Sequence, residues 1–129
     1  MLAHLRQHLV AVLSSAQRVI LSTTGPAGLQ AAMLPCVADG LLIRLMLPRT
    51  SDLLLNIERE PQVLVTSSDW QVWGRARVLD SGARAALING FNLPDPAWFT
   101  LIEVVPARVA VSRHEGWGAA ETFDVDAES

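Results

Sequence analysis

Leu2, Leu5, Leu9, Val12, Leu13 and Ala16 recur at i, i+3 and i+4, which predicts an amphipathic helix over residues 2–16. The period then changes. Arg18-Val-Ile-Leu-Ser-Thr23 concentrates β-branched residues and predicts a strand. Leu29–Val37 and Leu41–Leu47 predict two more, separated by the turn signals Gly25-Pro26-Ala27-Gly28 and Ala38-Asp39-Gly40. Two hairpins in succession make an antiparallel meander rather than βαβ units. Pro48 and Arg49 end the third strand. Ser51 suits the N-cap of a short helix over residues 52–59, with Asp52 in its first turn and Leu53, Leu54 and Ile57 on its buried face. Pro61 turns the chain out of helix from Glu60 onward.

Gln62–Ser67 and Trp70–Asp80 predict strands four and five around a tight turn at Ser68-Asp69. Along the fifth strand, Trp70, Val72, Gly74, Ala76 and Val78 share a small apolar face, and Trp73, Arg75 and Arg77 share the other. The first face suits a barrel interior and the second an outer side turned to a partner or ligand. Gly82–Gly90 predicts a short helix stopped by Gly90, and Pro94 and Pro96 impose a loop after it. Phe99–Val105 and Arg108–Ser112 predict late strands broken by Pro106. From about residue 119 the chain reads as an acidic, mostly polar tail. The sum is one domain over residues 1–129, mainly β with flanking helices (α+β), its six short antiparallel strands suited to a small barrel.

Composition narrows the functional classes. Half of the 129 residues are hydrophobic and 18% are charged, so some apolar area is expected to be buried against a second subunit. The net charge is −3 and no Lys is present, which gives no electrostatic footprint for nucleic acid. Cys36 is alone and cannot form an internal disulfide. No segment approaches the ~18 apolar residues of a membrane span. The run Leu9–Leu13 is shorter than the ~7–15 residues of a signal-peptide core, and His4, Arg6 and His8 interrupt what precedes it, so a cytoplasmic protein is expected.

Isolated chemistry is sparse. His4 and His8 stand at i, i+4 but lack the Glu of a zincin and any third ligand nearby, so two exposed histidines, and no metal, are expected. His114, between Arg113 and Glu115, is a strand-end histidine whose ordinary account is surface exposure; near a ligand it would bind an anion or carry a proton. No nucleophile-plus-base pattern and no Gly-rich nucleotide loop is present, and no catalytic residue is nominated.

Several pieces carry a resemblance in their order: the opening helix before Arg18-Val-Ile-Leu-Ser-Thr; Gly25–Gly28; Asp39-Gly40; Asn56-Ile57 and Pro61; Trp73-Gly74-Arg75-Ala76; Val104-Val105-Pro106-Ala107-Arg108-Val109; and Gly116-Trp117-Gly118-Ala119-Ala120-Glu121-Thr122. The chain resembles the FMN-binding split β-barrels, the pyridoxamine 5'-phosphate oxidase-like family. The resemblance implies a six-stranded antiparallel split barrel, a homodimer, and FMN in two equivalent clefts at the subunit interface. It implies a flavoprotein related to oxidoreductases of unstated small-molecule substrate. Phosphate would fall to Arg49, Thr50 and Ser51, the ring system to Trp73 and Gly74, with Gln30 and Met33 on the opposite wall. Trp98, Trp117 or His114 would complete the partner's cleft.

The chain also departs from that family. A Lys or Arg often follows the loop Ser; here Asp52 and Leu53 follow Ser51. The second strand often sends an Arg or another polar residue to the flavin; here Gln30 is followed by Ala31, Ala32 and Met33. Weak FMN binding, a different ligand such as coenzyme F420 or heme, or a cofactor-free dimer acting as a small-ligand-binding or interaction module all remain open. Heme would need an axial ligand from His4, His8, His114, Cys36 or a Met.

Overall fold

A computed structural model describes residues 3–87, 91, 96–113 and 116–125. Among them the order is α1 (Ala3–Ser14), β1 (Arg18–Thr23), β2 (Gln30–Asp39), β3 (Leu42–Pro48), α2 (Asp52–Arg59), β4 (Gln62–Thr66), β5 (Trp70–Val78), α3 (Ser81–Leu87), a 3₁₀ turn (Pro96–Trp98), β6 (Phe99–Arg113) and β7 (Gly116–Asp124). All strand pairs are antiparallel. The order β3-β2-β1-β4-β5-β6 closes through pairing of β3 with β6, which makes the expected six-stranded barrel, and β7 adds a further strand on β6. No helix among the described residues is long and apolar enough to cross a membrane.

Alternation decides what lies inside. Val19, Leu21, Ile43, Leu45, Val65, Trp70, Val72, Ile102, Val104 and Val109 point into one core, and Leu9 and Leu13 of α1 join it. The period-2 pattern of the strands and the i, i+4 pair of the helix thus converge on the same apolar volume. Along β5 the predicted parity holds, with Trp70, Val72, Gly74 and Ala76 buried and Trp73, Arg75 and Arg77 exposed. Val78, at the strand end, is exposed rather than interior. A second cluster, Met46, Leu101 and Phe91 with Leu79, Leu87 and Phe99 packed against it, lies apart from the main core.

Two expectations need correction. Pro106 does not break the late strand; β6 runs unbroken through fifteen residues. Its first half pairs with β3 and its second half with β7, while β5 follows it along both. Pro106 is accommodated where the β5–β6 register shifts between Trp73 and Gly74, so the missing N–H falls at a bulge. The acidic stretch is also not simply a tail, because β7 extends to Asp124 and pairs Phe123 with Val109 and Asp124 with Arg108. Of the helix predicted over 82–90, Ser81–Leu87 forms, and residues 88–90 lie outside the described residues.

The bulge depends on Gly74. A Cβ there would stand 2.7 Å from both Val104 Cγ1 and the Val105 carbonyl oxygen. The carbonyl belongs to a paired strand and has little room to move. Gly74→Ala is therefore expected to destabilise the barrel by about 1–3 kcal/mol, read as a lower urea midpoint. A midpoint equal to the parent protein's would show that β5 and β6 are less closely packed than this geometry requires.

Candidate functional site

The outer face of β1, β4 and β5 carries an open groove of about 610 Å³. Register explains its wall. Ser22 pairs with Leu64 and Leu64 with Trp73, so these three outward side chains form one row across three strands. Gly74 and Ala107, at the β5–β6 bulge, belong to the lining, as do Thr24, Gln62 and Arg75. Leu29, 82% exposed, stands beside it at the end of the β1–β2 turn. The lining is apolar with one formal charge, that of Arg75.

That turn is held from below by α2. Asn56 is fully buried. Its Nδ2 donates to Thr23 Oγ1 at 3.0 Å and to the Gly28 carbonyl at 2.8 Å, and its Oδ1 accepts from the Ala27 N–H at 2.9 Å. Gly25 is required beside it, since a Cβ there would meet Asn56 Oδ1 at 2.8 Å. One amide side chain thus fixes the loop that carries Thr24 and Leu29 to the groove.

The loop between β3 and α2 forms a separate place on the chain. Ser51 is the predicted N-cap, with extended backbone and its Oγ accepting from the Leu53 N–H at 3.1 Å. Arg49 is tied to the 3₁₀ turn, its N–H donating to the Trp98 carbonyl at 3.0 Å and its Nε to the Ala97 carbonyl at 2.9 Å. Arg49 and Thr50 are exposed, and Asp52 is exposed beside them. Leu53 is buried in the core.

The residues predicted for the site therefore divide. Trp73 and Gly74 line the groove; Gln30, Met33, Arg49, Thr50 and Ser51 do not. Gln30 Nε2 donates to the Ala27 carbonyl at 3.0 Å and so serves its own turn. Met33 is 59% exposed on β2, opposite the exposed Ile20 of β1. Trp98 is exposed at the 3₁₀ turn. His114 and the side chain of Trp117 lie outside the described residues. His4 and His8 are exposed on α1, and no group of three metal-ligating side chains occurs among the described residues. Burial pushes the Cys36 thiol up to about 11, and its Sγ–H donates to the Ala16 carbonyl at 3.4 Å. At neutral pH it stays a protonated thiol and is no nucleophile.

Sequence reasoning missed Asn56 as the organiser of the turn and Arg75 as the charge of the groove. The available signal for Asn56 was a lone amide among Leu53, Leu54 and Ile57 on an otherwise apolar helix face. For Arg75 it was the shared parity with Trp73.

No family model and no curated protein sequence matches the chain. Solved structures do share its architecture. General Stress Protein 26 from Bacillus anthracis str. Sterne superposes with a TM-score of 0.70 at 20% identity, covering 95% of this chain and 99% of that one. A protein related to general stress protein 26 of B. subtilis (pyridoxinephosphate oxidase family), from Clostridium acetobutylicum, gives 0.64 at 15% identity, covering 94% and 96%. A pyridoxamine 5'-phosphate oxidase-related, FMN binding protein from Nostoc punctiforme PCC 73102 gives 0.56 at 13% identity, covering 95% and 94%. The chain has the split-barrel fold of the pyridoxamine 5'-phosphate oxidase-like proteins, in a divergent sequence.

Proposed function

We propose that the protein is a flavin-binding split barrel that takes FMN in a cleft completed by a second copy of the chain. The observation that carries this reading is the open apolar groove at Trp73–Gly74, on a fold shared with a protein described as FMN binding. Its volume of about 610 Å³ falls within the usual range of small-molecule sites. Trp73 offers a partly exposed flat face, and Gly74 offers bare backbone beside it, which suits a planar ring. The phosphate end fits through one cation. Arg49 keeps its terminal nitrogens beyond the Nε that Ala97 occupies, and Thr50 and Ser51 add hydroxyls. Because the loop residues do not line the groove of their own chain, the loop of one copy, with its Gln30 and Met33, would face the Trp73 wall of the other. Exposed Ile20 and Met33 support an apolar contact of that kind. The cofactor would supply the redox chemistry, and the chain its binding and orientation.

A visible spectrum of the purified protein with and without FMN tests the reading. Uptake with quenched flavin fluorescence is expected. Arg49→Ala is expected to weaken FMN binding by about 1.5–3 kcal/mol, the worth of a charge-assisted contact, and to leave riboflavin binding unchanged. Equal affinities before and after the substitution would remove Arg49 from the phosphate site. A second reading, a cofactor-free ligand-binding or interaction module, is favoured by the loop itself. Leu53 is buried in the core and Asp52 is exposed at the helix start, so neither supplies the phosphate with a cation. A colourless protein that ignores FMN would select that reading.

A further inference from the structure

Most arginines whose contacts are described are committed. Arg44 and Arg77 pair with Glu103, Arg108 with Asp124, and Arg49 holds the Ala97 carbonyl. Arg75, two residues from Arg77 on the same strand, makes no side-chain hydrogen bond or ion pair among the described residues; Arg6, Arg18 and Arg59 make none either, but of these four Arg75 alone lines the groove. Its cross-strand neighbours are Gln62 and Val105, and neither is acidic. No Asp or Glu lines the groove it borders. This happens on a chain whose net charge is −3, where acidic partners are in excess. An unneutralised guanidinium at the edge of an apolar surface favours an anion and offers it two parallel N–H donors. The floor beneath is the β5–β6 bulge, a feature that commonly re-aims side chains beside binding sites.

We infer that the groove binds a small molecule with a flat apolar body and one anionic group, a carboxylate or phosphate. Arg75 takes the anion, and Leu29 and Leu64 take the body. If flavin lies at the Trp73–Gly74 end, this molecule is a substrate beside it; that placement rests on the flavin reading, whereas the anion site does not.

The test uses two fluorescent probes with the same rings, anilinonaphthalene sulfonate, which is anionic, and phenylnaphthylamine, which is neutral. Both are titrated into flavin-free protein and into Arg75→Gln, a substitution at an exposed position, with a thermal melt to confirm folding. The sulfonate probe is expected to bind about tenfold more weakly to Arg75→Gln, and the neutral probe to change by less than about twofold. Benzoate or phenyl phosphate should displace the sulfonate probe, and the better competitor names the anion. The ratio of FMN to riboflavin affinity should not change in Arg75→Gln. The inference is overturned if both probes weaken equally, if neither weakens, or if neither competitor displaces. It is also overturned if the parent protein binds neither probe because a second copy covers the groove. A fall of FMN affinity to the riboflavin level would assign Arg75 to the cofactor phosphate instead. Failure of FMN uptake alone leaves the probe result standing.

Discussion

Glu103→Ala is expected to lower stability by about 3 kcal/mol, measured by urea unfolding at neutral pH. Glu103 sits on β6 between Arg44 of β3 and Arg77 of β5, its direct cross-strand neighbours. Its side chain is 5% exposed, Arg44 Nε donates to one oxygen at 2.9 Å, and Arg77 donates to the other. Arg44 also reaches Asp39 at 2.9 Å, so four charges link β2, β3, β6 and β5 where the barrel closes. Removing the carboxylate leaves Arg44, itself mostly buried, with only an exposed Asp39 to balance it. Arg77 is 61% exposed and rehydrates cheaply, which places the cost at the lower end of the range for a broken buried pair. A change within experimental error would mean that water already solvates Glu103.

The same network carries a pH dependence. Burial alone would raise the carboxyl of Glu103, but hydrogen bonds and charge from Arg77 and Arg44 outweigh it and leave the group below its ordinary value. A carboxyl lowered in the folded state stabilises fully above its unfolded value, about 4.3. That stabilisation is lost as pH falls through the folded value. The stability gap between the parent protein and Glu103→Gln should therefore be constant from neutral pH down to about 5 and shrink below about 4. A gap that stays constant to about pH 3 would contradict the assigned protonation.

The comparison of sequence with structure follows the range of the signals. The first three strands, α2 with its Ser51 cap and the Pro61 exit were legible because each is set by residues within a few positions of one another. The facing of β5 was legible for the same reason, a strict period of two from Trp70 to Arg77. Passage through Pro106 was not, because it depends on Gly74, thirty-odd positions earlier, sitting across the bulge. Strand β7 was hidden by its acidic residues. Among the described residues it pairs with β6, and Phe123 packs against the core. An edge strand with charged outward positions reads as a polar tail until its partner is known. Glu103 was passed over inside the apolar run Phe99–Val105, since the arginines that neutralise it come from two other strands. The groove was half legible: parity put Trp73 and Arg75 together, but Ser22, Leu29 and Gln62 meet them only through pairing.

Asn56→Ala is expected to cost about 2–4 kcal/mol, because three buried or part-buried groups lose their partner at once and each orphan costs about 1–3 kcal/mol before relaxation. The Ala27 N–H, the Gly28 carbonyl and the Thr23 hydroxyl all turn to this one side chain, and Thr23 is itself 2% exposed. Asn56→Asp separates the contributions. It keeps an acceptor for Ala27 but sets a second oxygen against the Gly28 carbonyl, so it should be no more stable than Asn56→Ala at neutral pH. The effect should also reach the groove, since the released turn carries Thr24 and Leu29. Hydrogen exchange is the discriminating measurement. Faster exchange confined to the amides of residues 25–29 and the adjoining ends of β1 and β2 is expected, with the β3–β6 pairing unchanged. Uniform acceleration across the barrel would show that Asn56 supports the whole fold rather than the loop, and would separate the groove from α2.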